Sequence, residues 1–119
     1  MEHFKRTDRV NDELKRLLGD LLEREVQDPR VGFVTVLDVE VARDFSVATV
    51  YVTLPEDQDT EETMAGLKAA AGFLRKRVGE SMSLRLTPEL LFVYDTSLDH
   101  GFRMDALFRK IAEERNDND

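Results

Sequence analysis

Val10, Leu14, Leu17, Leu18, Leu21, Leu22 and Val26 recur at spacings of three and four. That spacing lays one apolar stripe along a helix from about His3 to Val26. Asp28-Pro29 stops it, because the residue before a proline disfavours helical backbone. The period then changes. Val31 to Val41 is dense in β-branched residues and reads as a strand, Ala42-Arg43-Asp44 as a turn, and Phe45 to Leu54 as a second strand. So short a connection predicts an antiparallel hairpin. Pro55 closes it and an acidic loop follows. Asp59 or Thr60 caps the next helix, with Glu62 three residues after Asp59 in capping-box spacing. Met64, Leu67, Ala71, Leu74 and Val78 keep helical register across Gly72, and Gly79 and Ser81 mark the end. Leu84 to Thr96 reads as a third strand, with Pro88 near its start predicting an edge position or a late start. Met104, Leu107, Phe108 and Ile111 fall at the spacing of a short last helix. The tail after about Glu113 is polar.

A hairpin followed by a helical crossover to a third strand gives an α+β fold: a small sheet with helices packed on one face. Leu17 and Leu74 are expected in its core. The chain has 119 residues, enough for one domain, expected over residues 1–112 with a flexible tail at 113–119. It has no cysteine, so disulfides and thiolate metal sites are excluded. No apolar run reaches the ~18–20 residues of a membrane span. Met1 to Asp8 is charged and leads into no signal-like apolar segment, so the expected location is the cytoplasm.

Charge changes the picture through its distribution. The net charge of −8 argues against a nucleic-acid partner. Yet Glu56, Asp57, Asp59, Glu61 and Glu62 form an acidic loop, and Glu113, Glu114, Asp117 and Asp119 an acidic tail. Between Lys68 and Arg85 the cations Lys68, Arg75, Lys76, Arg77 and Arg85 meet a single acid, Glu80. A segregated basic face can bind phosphate on an acidic protein; a solvated helix face balanced elsewhere is the plainer alternative. On a helical wheel, Ala65, Lys68, Ala69, Gly72, Arg75, Lys76 and Gly79 share the face opposite the apolar one. Small side chains there let a sugar-phosphate backbone come close. A break at Gly72 would aim amide N–H groups at an anion and could bring Arg77 onto that face. Arg9 and Arg16, with Lys5, lie opposite the stripe of the first helix and form a rival basic site, diluted by Asp12 and Glu23.

Several segments together resemble one family. They are Arg9-Val10 with the leucine-rich helix, Asp28-Pro29-Arg30, Val34 to Val41, and Ala48-Thr49-Val50-Tyr51-Val52. They continue through Ala70-Ala71-Gly72-Phe73-Leu74-Arg75, Leu84 to Leu90 and Phe92-Val93-Tyr94-Asp95. In their order and spacing the chain resembles bacterial ribosome-binding factor A over nearly its whole length. The resemblance implies a type II KH-like domain with a kinked helix pair at Gly72. It also implies binding to the free 30S ribosomal subunit during late maturation of 16S rRNA, including in the cold. KH domains clamp RNA with a Gly-x-x-Gly loop; this family carries an Ala-x-Gly kink there, which Ala70-Ala71-Gly72 fits.

The residues argue for a binding protein rather than an enzyme, without cofactor or metal, and expected to be a monomer. Asp95, Asp99 and His100 are close in sequence but read better, with Ser97, as turn and cap residues before the last helix. Ser81 and Ser83 have no histidine nearby. Tyr51, Phe92 and Tyr94 read as core or cross-strand residues. A second class of function stays open: a regulatory or oligomerising module that binds a small ligand or partner protein through its sheet.

Overall fold

The computed structural model describes residues 6–95. Its elements are α1 (Arg6–Arg24), β1 (Thr35–Val41), β2 (Val47–Thr53), α2 (Thr60–Ser81) and β3 (Glu89–Tyr94). The strands lie in the order β1-β2-β3, with β1 antiparallel and β3 parallel to β2. α1 packs over β1, α2 over β3, and the helices touch each other. Inward positions alternate along the strands: Val39 and Val41, then Ala48, Val50 and Val52, then Leu90. Against them sit Leu14, Leu18, Leu21 and Leu22 from α1 and Leu67, Leu74 and Val78 from α2. The α+β, KH-like class expected from the sequence is the one observed. The N-terminal His3 to Lys5, the strand end at Thr96, the Ser97–Asp99–His100 segment, the last helix over Met104 to Ile111 and the tail all lie outside the described residues.

Four expectations need correction. α2 is one unbroken helix of 22 residues, so the segment does not divide into two helices at Gly72. A lone glycine costs a helix only about 1 kcal/mol against alanine, and burial of Leu67, Leu74 and Val78 on both sides of it outweighs that. Leu17 is only half-buried, because it lies at the edge of an apolar stripe whose centre is Leu14, Leu18 and Leu21. Met64 and Ala71 flank the buried line of α2 in the same way. The strands are shorter than expected. β1 starts at Thr35 rather than Val31, and β3 at Glu89, just after the buried Pro88, which accounts for the late start.

Local chemistry fixes the joints. Asp59 caps α2, its Oδ1 accepting from the Glu62 amide at 3.0 Å. β1 carries a bulge between Val36 and Asp38. Leu37 is the extra residue, and it lets Val36, opposite Val52, and Val39, opposite Val50, both face inward although they are three apart. On the outer side of β1 the Val39 amide donates to Asp38 Oδ1 and the Val41 amide to Asn11 Oδ1 of α1, each at 2.9 Å. In the β1–β2 turn Phe45 adopts φ 62°, held by its amide on the Ala42 carbonyl at 2.8 Å.

The segment between α1 and β1 folds back on α2. Gln58 clasps it: Oε1 accepts from the Phe33 amide at 3.0 Å. The two hydrogens of Nε2 are shared among three acceptors, the Val31 carbonyl at 2.7 Å, the buried Thr63 hydroxyl at 2.8 Å and, at the longest distance, the Phe33 carbonyl at 3.1 Å. Gly32 sits at φ 58°, where a Cβ would meet Gln58 Oε1 at 2.7 Å. Gly66 of α2 takes the other side of this loop, since a Cβ there would stand 2.9 Å from Val31 Cγ2.

Candidate nucleic-acid interface

Helix geometry sorts the cations of α2. Consecutive residues are about 100° apart, so residues seven apart share a face and neighbours do not. Lys68, Gly72, Arg75 and Gly79 form one exposed row, and Ala65, Ala69, Gly72 and Lys76 form the row beside it. Gly72 belongs to both. A Cβ built on it would meet nothing within 4 Å among the described residues, which leave the surface there open. Of the Ala70-Ala71-Gly72 motif, Ala70 and Ala71 are half-buried and Gly72 alone is exposed.

Arg75 and Arg77 flank the buried line of α2 on opposite sides. Arg75 reaches toward β3 and donates to the Thr87 carbonyl through Nη2 at 2.8 Å and Nε at 3.2 Å. That uses two of the five N–H donors of its guanidinium and leaves the rest outward. Arg77 reaches toward α1. Its Nε and Nη2 grip the two carboxylate oxygens of Glu25 at 2.8 and 3.0 Å, and Nη1 meets Glu80 at 2.8 Å. The guanidinium pKa is raised, first by the hydrogen bond to Glu25 and then by that to Glu80. The Glu25 carboxyl is lowered, first by the Arg77 hydrogen bond, with partial desolvation opposing. Arg77 therefore ties α2 to the end of α1 and does not join the basic face, since the break that would have rotated it there is absent.

Lys68 and Lys76 are exposed and make no ion pair among the described residues. Arg85 is exposed in the connection from α2 to β3. It lines a cavity of about 340 Å³ with Val10, Asp44, Phe45, Leu84 and Leu86. Lys68, Lys76 and the outward part of Arg75 thus make a compact cationic surface around Gly72, with Arg85 beyond the end of the helix.

The rival site differs in its neighbours. Arg9 and Arg16 are exposed on α1. Arg16 lines an open groove of about 560 Å³ between α1 and β1, shared with Lys15 and with Asp12, Asp20 and Glu23. Three carboxylates against two cations make this groove a poor host for phosphate. Among the described residues no group of three His, Asp or Glu side chains is placed to hold a metal ion, and no helix is long and apolar enough to cross a membrane.

Sequence reasoning missed Gln58, Gly66 and Phe33. Gln58 lies among acids in what reads as a solvated loop, and only the glycine at Gly32 hints at a backbone turn there. Phe33, taken as a strand residue, is 80% exposed at the tip of the clasped loop.

The ribosome-binding factor A family model matches residues 6–108. Among solved structures, the crystal structure of ribosome-binding factor A from Thermus thermophilus is 27% identical. It covers 76% of this chain and 97% of its own, with a TM-score of 0.68. The solution structure of a candidate ribosome binding factor A from Thermotoga maritima is 30% identical, covering 83% and 95%, with a TM-score of 0.69. A homology model of the Thermus thermophilus factor, fitted into a cryo-EM map of a 30S complex with that factor, is 27% identical. It covers 74% and 93%, with a TM-score of 0.62.

Proposed function

The chain belongs to the ribosome-binding factor A family, and from that premise we propose that it binds the free 30S subunit and assists late maturation of 16S rRNA, including in the cold. It acts by binding, as a monomer in the cytoplasm, without catalysis or cofactor. The observation that carries the reading is the family match over residues 6–108, joined by a Thermus relative placed in a map of a 30S complex.

The RNA contact we assign to the surface around Gly72. Lys68, Arg75 and Lys76 bring positive charge, and Ala65, Ala69 and Gly72 remove the bulk that would hold a phosphate backbone away. Arg85 extends the surface, and Arg9 and Arg16 take a lesser part. Arg77 serves the fold. The unbroken helix and the lack of a second glycine favour a grip by side-chain cations on an open helix face over one by a loop of backbone amides.

The test is sedimentation with free 30S subunits, mature subunits and assembled ribosomes, repeated across a salt series. Wild type is expected to travel with free subunits. The double variant Lys68→Ala/Lys76→Ala should bind more weakly and flatten the slope of log K against log salt by ~0.7–0.9 for each phosphate that is no longer neutralised. An unchanged slope, with a changed slope for Arg9→Ala/Arg16→Ala, moves the RNA surface to α1. A sheet-mediated partner interface would show little salt dependence in any variant.

A further inference from the structure

Phe33 is an aromatic side chain 80% exposed to solvent, and the fold fixes its position tightly. Single exposed apolar residues are common on protein surfaces, and Leu86 and Leu91 are further examples here. Phe33 differs in how it is held. Its amide and its carbonyl are both bonded to the one side-chain amide of Gln58, at 3.0 and 3.1 Å. Gln58 is in turn anchored on the buried Thr63 of α2. The bond from Gln58 to the Val31 carbonyl serves to bury Val31. The pair on Phe33, two residues further, extends the clamp to a side chain that contributes almost nothing to the core. Gly32 at φ 58° gives the chain the turn that this presentation needs.

The chain segment that carries the clasp on Phe33 is acidic. Gln58 is flanked along the chain by Asp57 and Asp59, and exposed Glu56, Glu61 and Glu62 complete this end of α2. Asp59 is accounted for as the helix cap, and Glu61 and Glu62 favour the helix dipole. Glu56 and Asp57 have no such role. The nearby cation, Arg30, is neutralised by Asp28, with Nη2 at 2.7 Å and Nε at 3.1 Å from its carboxylate oxygens. A phosphate backbone approaching Phe33 would meet repulsion, whereas a lysine or arginine would meet carboxylates and an aromatic face suited to a cation.

We propose that Phe33, together with Glu56 and Asp57 on the chain segment that leads into its clasp Gln58, docks a lysine- and arginine-rich protein segment of the small subunit, while the exposed face of α2 around Gly72 meets rRNA. The proposal rests on the subunit-binding reading above. A particle built of RNA and basic proteins offers both surfaces, and a protein with one acidic and one basic end can engage it in a single orientation.

The experiment measures the affinity of wild type, Phe33→Ala, Glu56→Lys/Asp57→Lys and Lys68→Ala/Lys76→Ala for intact small subunits and for protein-free 16S rRNA. Phe33→Ala and the charge reversal are expected to weaken binding to intact subunits roughly 10-fold or more, as loss of an aromatic anchor does. Neither should weaken binding to bare rRNA, and the melting temperature of Phe33→Ala should match wild type because the side chain is exposed. The lysine double variant should weaken both. The proposal is overturned if either Phe33→Ala or the charge reversal binds intact subunits as wild type does. It is equally overturned if Phe33→Ala loses affinity for bare rRNA to the same degree, since the contact is then with RNA. Failure of wild type to bind intact subunits at all would remove the underlying reading, and this proposal with it.

Discussion

The two halves of α2 treat the same residue type in opposite ways. Gly66, in the first half, is buried, and a Cβ on it would stand 2.9 Å from Val31 Cγ2, 3.2 Å from Arg30 Cβ and 3.4 Å from the Val31 amide. Gly72, in the second half, is exposed and faces open space. The fold accounts for the first glycine: without it the loop from Asp28 to Phe33 could not lie against the helix. It gives no such account of the second, which weakens the helix and relieves no crowding among the described residues. The proposed RNA surface gives that small residue a use, since the lysines on either side of Gly72 suit a phosphate backbone.

The largest expected effect tests the frame common to both halves. Leu74→Ala should cost ~2–5 kcal/mol in chemical denaturation, because Leu74 is fully buried. A much smaller cost would mean that the buried line of α2 is misassigned and that the comparison has no axis. Next comes the pair of glycines. Gly66→Ala should destabilise by ~1–3 kcal/mol, the cost of forcing Val31 and Arg30 aside. Gly72→Ala should stabilise by up to about 1 kcal/mol, the difference in helix propensity, while weakening association with 30S subunits. The opposite signs are the sharpest point of the comparison, and two stabilising substitutions would abolish it.

The smallest effect concerns the ends of the loop that Gly66 admits. The Asp28 carboxyl is lowered from 3.8 to about 2, mainly by the side-chain hydrogen bond from Arg30 and then by its amide. Glu25 is lowered from 4.5 through Arg77. A depressed carboxyl contributes stability that is present above its unfolded value and is lost as pH falls through its folded value. The melting temperature should therefore fall between about pH 4.5 and pH 2. Asp28→Asn should make that fall shallower; an unchanged profile would mean that the Asp28–Arg30 pair does not persist in solution.

Periodicity carried much of this fold into the sequence. The stripe of α1, the hairpin and the register of α2 through Gly72 were legible because each rests on neighbours three or four residues apart, or alternating. The bulge at Leu37 was not, since an extra residue in a run of valines leaves no mark in composition. The basic stretch was legible as charge, but Arg77 owes its role to Glu25, 52 residues away, and no local pattern names a partner at that distance. Gln58 was hidden for the same reason: its four bonds go to Val31, Phe33 and Thr63, and only the folded chain brings those to it.

The two hydrogen bonds on the outer side of β1 close part of that sheet edge to a further strand. Donor direction alternates along a hairpin strand, and the Ala42 amide points inward to the Val47 carbonyl. The Val39 and Val41 amides therefore point away from the sheet, where a strand from another molecule would seek them. Asp38 and Asn11 already occupy both. A growing β-aggregate needs vacant donors on which to template its next layer, and along this stretch it finds side chains seated in their place. Asn11→Ala would reopen one of those positions, turning a closed margin into a site for strand addition.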